Sequence, residues 1–386
     1  EMRLQKLAGL ERKKIEDELL EVQALIEQLK EILSSKAKIR KVIKTELSEL
    51  TEKYGDERRT RVMAGGVKTL SIEDLIADEE NVLVLTAGGY IKRTSPSEYR
   101  TQRRGGVGVV DLNTKEEDFV TTFLTTSTHS DLLFFTDKGK AYQIKMYDLP
   151  EGKRATKGKS IMNFLPLVQD EKVTSILPMP KQIKGSALSI MMVTKDGITK
   201  KVSAKSFFDV RRSGIIAIRL ENGDRLISTQ FADKGDEVVL VSKKGQSIRF
   251  KETDVREMGR AAGGVRGIKL GKGDEVIAAL GVKKGSENHL LALSELGYGK
   301  KTKITEYKVQ KRGGSGIKTA NVTPKTGPIM SAWIVDDTVS EIVVMSQKSQ
   351  VIRLSLEEVP ALGRATQGVR IMKLRDGDRI ASLVCL

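Results

Sequence analysis

The chain has 386 residues, with 67 Lys+Arg against 51 Asp+Glu, a formal net charge of +16. That length allows two or three domains with buried cores, and no apolar run approaches the ~18 residues of a membrane helix. One cysteine, Cys385, and two histidines, His129 and His289, exclude an internal disulfide, as fits a reducing compartment, and an ordinary zinc site. The charge is uneven. Residues 1–60 hold 14 Lys+Arg and 13 Asp+Glu, so the remaining 53 and 38 put a balance of +15 on residues 61–386. A field of that size on one region points to a polyanionic partner.

The chain opens inside a helical pattern and reads as part of something longer, and Arg3, Lys6 and Glu11 break up any signal-peptide core. Ile15, Leu19, Val22, Ile26, Leu29 and Leu33 form a heptad seam that needs a partner helix. Ser34 and Ser35 interrupt it, and Ile39, Ile43, Leu47, Leu50 and Tyr54 resume a helical stripe up to Gly55. Two helices of about 19 residues, roughly 28 Å each, are expected to fold back as an antiparallel coiled-coil hairpin. Asp56–Thr60 reads as the linker, giving a helical domain over 1–60 and a second domain over 61–386.

From residue 82 a unit of about fifty residues recurs six times. Each copy opens with an apolar run ending in Thr or Ser: Val82–Thr86, Leu132–Thr136, Ile190–Thr194, Val238–Ser242, Leu290–Ser294 and Ile342–Ser346. Three residues on stand Gly89, Gly139, Gly197, Gly245, Gly297 and, as the exception, Ser349, where a tight hairpin needs positive φ. A second glycine follows at offsets alternating between 17 and 19: Gly106, Gly158, Gly214, Gly264, Gly314 and Gly368. Gly-Asp pairs recur at Gly223, Gly235, Gly273 and Gly377. Six β-patterned units predict a mainly β, six-bladed ring in which each blade packs on its neighbours.

Four residues past the first turn position stand Arg93, Gln143, Lys201, Arg249, Lys301 and Arg353, preceded in alternate blades by Lys92, Lys200 and Lys300. A fixed place in a repeat becomes a fixed height on a ring, so these residues are expected to form a basic rim for phosphate. Only 17 aromatic residues (7 Tyr, 9 Phe, 1 Trp) argue against stacking on single strands. The densest cluster runs Arg100, Gln102, Arg103, Arg104, Gly105, Gly106, Val107, Gly108, where guanidinium forks and open backbone N–H groups both reach phosphate.

Gln102-Arg103-Arg104-Gly105-Gly106-Val107-Gly108 resembles the seven-residue box of the DNA gyrase A-subunit family, matching all but one position: the family has Lys or Arg where this chain has Val107. The six repeats resemble that family's C-terminal domain, and Leu4–Glu11 and Tyr54–Thr60 resemble the coiled-coil helices leading out of its breakage–reunion domain. The resemblance implies a β-pinwheel whose blades exchange strands and whose rim wraps duplex DNA, so that ATP-dependent strand passage leaves negative supercoils. It implies no cofactor in this stretch, with ATP and Mg acting through the gyrase B subunit. It implies as partners duplex DNA, the B subunit of gyrase and a second copy of its A subunit, forming A2B2. It implies no membrane, and a bacterial cytoplasmic, nucleoid-associated setting. The family's catalytic Arg-Tyr-Thr triplet is not matched by Glu98-Tyr99-Arg100-Thr101, so this chain alone is expected to cut nothing. The competing expectations are the C-terminal domain of a topoisomerase IV A subunit, which is similar in fold, and a propeller scaffold for acidic proteins.

Overall fold

A computed structural model describes residues 4–56, 60, 72–98, 118–153, 156–180, 188–208, 210–348 and 350–385. The chain divides into two compact units, Glu1–Thr69 and Leu70–Leu386, a boundary past the residue 60 read from the sequence.

In the first unit α1 (Leu4–Leu33) has 30 residues rather than about 19, and α2 (Lys36–Tyr54) has 19. Between them Ser35 is extended and its Oγ accepts the Ala37 N–H at 3.3 Å, an N-cap that starts the second helix. Gly55 ends it for a steric reason: its φ is an ordinary −67°, but an added Cβ would lie 2.3 Å from the Thr51 carbonyl oxygen. The heptad seam stays open to solvent, from Ile15 (65% exposed) to Leu33 (72% exposed), and α2 has no buried residue. The expected packing of one helix along the other is therefore not made. The seam presents an apolar stripe instead.

In the second unit the first blade pairs β1 (Glu80–Thr86) with β2 (Tyr90–Thr94) and β3 (Val120–Ser127). The later blades repeat this three-strand motif. The second has β4 (Asp131–Thr136), β5 (Lys140–Lys145) and β7 (Val173–Met179). The third has β8 (Ser189–Thr194), β9 (Ile198–Ser203) and β11 (Leu226–Ala232). The fourth has β12 (Glu237–Ser242), β13 (Gln246–Lys251) and β15 (Val276–Val282). The fifth has β16 (His289–Ser294), β17 (Tyr298–Lys303) and β20 (Ile329–Val335), and the sixth β21 (Glu341–Ser346), β22 (Val351–Ser355) and β24 (Ile380–Cys385).

Neighbouring blades exchange strands. A two-residue strand from each later blade adds to the second strand of the blade before it: β6 (Lys159–Ser160) to β2, β10 (Ile215–Ile216) to β5, β14 (Val265–Arg266) to β9, β19 (Ile317–Lys318) to β13 and β23 (Val369–Arg370) to β17. The fifth blade also lends β18 (Val309–Gln310), parallel to β13. The third strands β3, β7, β11, β15, β20 and β24 neighbour one another around the centre, and β24 returns to β3. Met345 of the last blade packs on Val82, Val84 and Val120 of the first. The unit is a closed ring of six blades, third strands inside and donated strands outside.

Ring packing explains why the opening runs are continuously apolar rather than alternating. β8 and β12 are buried along their whole lengths, because each sheet is covered on one face by the preceding blade and on the other by the next. Leu133 and Phe135 of the second blade share one core with Met192, Val202 and Phe207 of the third, each large side chain contributing about 1.5–3 kcal/mol.

The repeated Thr or Ser bridges its hairpin. Thr86, Thr136, Thr194, Ser242, Ser294 and Ser346 each accept the backbone N–H four residues on. A carboxylate ahead of the third strand often completes the turn: Asp274 Oδ2 accepts from Ser242 Oγ–H at 2.7 Å and Asp378 Oδ2 from Ser346 Oγ–H at 2.6 Å. This gives a use to the Gly-Asp pairs at Gly273 and Gly377. The hairpin glycines Gly89, Gly139, Gly197, Gly245 and Gly297 hold φ between 75° and 83°, and the carbonyl of each accepts an N–H from the next blade, as Gly89 does from Ile161 at 2.8 Å.

In the fifth blade the second glycine is misplaced in the sequence reading. Gly316, not Gly314, has positive φ and immediately precedes the donated strand, so the alternation of offsets breaks there. A Cβ on Gly316 would sit 2.2 Å from the Ser247 carbonyl oxygen, whereas at Gly314 nothing lies closer than 3.6 Å. Gly316→Ala is expected to cost about 2–3 kcal/mol, while Gly314→Ala changes stability by less than about 0.5 kcal/mol. Denaturant midpoints of the two variants check the contrast.

Candidate nucleic-acid interface

The box residues Gln102, Arg103, Arg104, Gly105, Gly106, Val107 and Gly108, together with Arg100, lie outside the described residues. The remaining predicted rim residues are described, and most of them face inward.

Lys92, Lys200 and Lys300 are 1%, 0% and 2% exposed. The donated strand explains it. The register sets Lys92 opposite Gly158, Lys200 opposite Gly264 and Lys300 opposite Gly368, and a Cβ at Gly158 would come within 3.2 Å of the Lys92 Cβ. The glycine leaves room for the lysine stem to pass beneath the donated strand. Each ammonium then donates to a carbonyl of the next blade's loop: Lys92 to Lys153 O at 3.4 Å, Lys200 to Arg260 O, Lys300 to Gly363 O at 2.7 Å and Arg364 O at 2.5 Å; Lys200 also donates to Ala217 O of its own blade at 2.7 Å. Burial brings Lys200 and Lys300 down to about 8, helped at Lys200 by the Arg260 charge. These lysines are struts, and they are withdrawn from the phosphate-binding rim expected of them.

The position one residue on forms a second set of struts. Arg93 Nε donates to Leu149 O at 3.0 Å, and Gln143 Oε1 accepts the Val210 N–H at 3.2 Å. Lys201 pairs with Glu252 at 2.5 Å, Arg249 Nη1 donates to Ile304 O at 2.6 Å, and Lys301 Nζ donates to Leu356 O at 3.0 Å. In every case the partner lies beside the short 3-10 turn that follows the second strand of the next blade. Arg249 and Lys201 are each 9% exposed and held against Glu237 and Glu252, so their charge is neutralised inside the ring. Arg353 pairs with Glu341 of its own blade and is exposed. In the first, third, fourth and fifth blades the recurring cation is thus a blade-to-blade clasp, a correction to its reading as an outward charged band, which only Arg353 fits.

The outward cations stand elsewhere. Lys159, Arg266, Lys318 and Arg370 lie on four of the five donated strands, at the outer edges of their sheets, and all are exposed, while β10 carries only Ile215 and Ile216. Arg219, Lys269 and Lys373 follow three residues after the strand's second position and are exposed too. Their contacts leave the charge in place: Arg370 Nη2 donates to the Tyr298 hydroxyl at 3.0 Å and Lys318 Nζ to Asn321 Oδ1 at 3.0 Å. Arg211, Arg212 and Lys311 stand exposed in the loops that lead into these strands. Sequence reasoning missed this row because a two-residue strand has no periodicity. The available sign was a basic residue one or two places after the second glycine, as in Gly158-Lys159, Gly264-Val265-Arg266 and Gly368-Val369-Arg370.

A closed ring of six strand-exchanging blades with unneutralised cations along its outer strands defines a β-pinwheel with a basic perimeter. The family model described as "DNA gyrase C-terminal domain, beta-propeller" matches residues 80–127, 130–178, 189–232, 236–283, 288–332 and 340–386, one match per blade. The chain belongs to this family. It is 39% identical over 383 residues to the DNA gyrase A subunit of Staphylococcus epidermidis, covering 99% of this chain and 43% of that protein. It is 42% identical over 378 residues to the DNA gyrase A subunit of Lawsonia intracellularis, covering 98% of this chain and 46% of that one. The chain therefore spans less than half the length of these relatives. A solved DNA gyrase A C-terminal domain superposes with a TM-score of 0.66 at 28% identity, covering 80% of this chain and 99% of that one. A topoisomerase IV C-terminal domain superposes with a TM-score of 0.67 at 24% identity, over 81% of this chain and 94% of that one, and shares the fold. Among the described residues no helix is long and apolar enough to cross a membrane.

Proposed function

We propose that this chain binds duplex DNA along the outer strands of its ring and bends it, as the DNA-wrapping part of a DNA gyrase. ATP-dependent strand passage by the assembled enzyme then leaves negative supercoils. The observation that carries the reading is the row Lys159, Arg266, Lys318 and Arg370, exposed on four of the five donated strands with no carboxylate partner among the described residues. Cations spaced around a curved edge hold phosphates without reading bases, which suits wrapping of any sequence. Bending 20–30 base pairs costs on the order of 1–6 kcal/mol, which several such contacts offset. The box arginines Arg103 and Arg104 add a further phosphate site in the first repeat. Strand cleavage falls to a tyrosine upstream of this stretch, and ATP and Mg act through the gyrase B subunit in an A2B2 assembly in the bacterial cytoplasm. Membership of the gyrase C-terminal domain family and the likeness to gyrase A subunits support this reading.

Two measurements test it. Affinity for duplex is expected to fall with salt along a slope of about −0.9 per phosphate contacted. Ligation of short fragments into circles is expected to be accelerated by the chain. Unchanged circularisation, with the duplex bound but straight, sinks the wrapping proposal.

A further inference from the structure

The ring has two unlike faces. The first strand of each blade enters from one face and ends at the hairpin on the other, and the loop after each donated strand returns to that hairpin, as Asp274 does to the Lys244 N–H at 2.9 Å. On the entry face Glu79, Glu80, Asp336, Asp337, Glu357 and Glu358 are exposed. Several lysines there are already committed: Lys145 to Glu73 at 3.1 Å and Asp131 at 3.2 Å, Lys283 to Asp233 at 2.8 Å and Asp236 at 3.0 Å. On the hairpin face exposed cations outweigh the exposed carboxylates, which include Asp170, Asp196, Glu221 and Asp376. Lys172, Lys269, Lys272, Lys373 and Arg375 are exposed, and no ion pair of their side chains is formed among the described residues. Several carboxylates of that face are consumed as hairpin caps, Asp274 by Ser242 and Asp378 by Ser346. The donated strands lie on the same side of the perimeter, since Arg266, Lys318 and Arg370 pair with Ile198, Gln246 and Tyr298, the first residues of their second strands.

We infer that this polarity gives the duplex a side. DNA tracks the half of the perimeter bounded by the donated strands and the hairpin face, and the acidic entry face excludes it. The inference rests on the proposed DNA binding and adds the path to it. At physiological salt a charge is felt over roughly 8 Å, less than the width of a duplex. A phosphate backbone lying against the donated strands is therefore attracted by the hairpin-face cations, and it would meet Glu357 and Asp337 only by shifting across the ring. One-sided attachment holds the bound duplex at one height instead of letting it slip to either face.

The test is crosslinking from single cysteines in a Cys385→Ala background of the whole chain, with a short photoactivated reagent and a duplex of about 40 base pairs. Asn222→Cys and Gln347→Cys report on the hairpin face, Thr253→Cys and Thr338→Cys on the entry face, and Ser315→Cys on the perimeter; all five positions are exposed. The expected result is strong crosslinking at 315 and at least about fivefold more at 222 and 347 than at 253 and 338. Equal yields from the two faces, whether high or low, overturn the inference while crosslinking at 315 leaves the DNA reading standing. No crosslink at 315 and no binding of the duplex overturn both. Reversal at Glu357→Lys with Glu358→Lys, and Asp336→Lys with Asp337→Lys, is expected to raise crosslinking from Thr338→Cys toward the hairpin-face level. No change there contradicts exclusion by charge.

Discussion

Replacing Lys200 with methionine is expected to destabilise the ring by about 2 kcal/mol at pH 7, and to remove a rise in stability that the parent chain shows above pH 8. Methionine fills much the same volume, so little packing is lost. What is lost are the donations to Ala217 O at 2.7 Å and to Arg260 O, which tie the third blade to its own incoming loop and to the fourth blade. An unsatisfied buried carbonyl costs about 1–3 kcal/mol. The pH dependence follows from the depressed affinity for the proton, about 8 in the folded chain against 10.5 for an ordinary lysine. Between those values the unfolded chain holds the proton and the folded chain does not, so raising pH favours the folded state. Below about 8 both states are charged and the dependence vanishes. Urea midpoints at pH 7, 9 and 10.5 check it, with Lys300→Met as the parallel case in the fifth blade. DNA affinity per folded molecule is expected to change less than about twofold. A large loss of affinity with unchanged stability would instead place Lys200 on the DNA.

This inversion marks where sequence reasoning stops. The repeats were legible because hairpin chemistry is local: Thr86, Gly89 and their counterparts satisfy one turn within four residues. The apolar runs were legible because a sheet covered on both faces needs no polar side. The direction in which Lys92 or Lys200 points was not legible, because it is fixed by a glycine of the next blade, Gly158 or Gly264, which immediately precedes a strand of two residues. A lysine at a repeated height looked like an outward charge when it was a buried strut. The same two-residue strands carry the exposed cations, so one hidden element caused both the false rim and the missed one. Gly316 was passed over for Gly314 because Lys311-Arg312-Gly313-Gly314-Ser315-Gly316 offers three glycines, and only the register with Ser247 chooses among them. The helical seam was legible as a pattern, yet the pattern names no partner, and α2 does not supply one.

The triple replacement Arg266→Ala, Lys318→Ala and Arg370→Ala is expected to weaken duplex binding on the order of ten- to hundredfold near physiological salt, and to flatten the slope of log affinity against log salt by about 2.7. The slope is the sharper readout, because each phosphate contact removed takes away about 0.9 whatever its contribution to affinity. Stability is expected to hold within about 1 kcal/mol, since all three side chains are exposed and only Arg370 gives up a bond to a buried side chain, the Tyr298 hydroxyl. The matching replacement of the clasps, Lys201→Ala and Lys301→Ala, should do the reverse, with a clear loss of stability through the Glu252 and Leu356 contacts and a salt slope that stays put for the fraction that folds. If the clasp variants flatten the slope and the outer-strand variants do not, the DNA contacts lie at the positions that the repeat pattern first suggested. The buried geometry of Lys92, Lys200 and Lys300 would then have to open when DNA binds. An outward swing of Lys200 exchanges two carbonyl partners for one phosphate and leaves a gap beneath Gly264, just ahead of the donated strand. The outer strands need no such rearrangement, since their cations already face solvent.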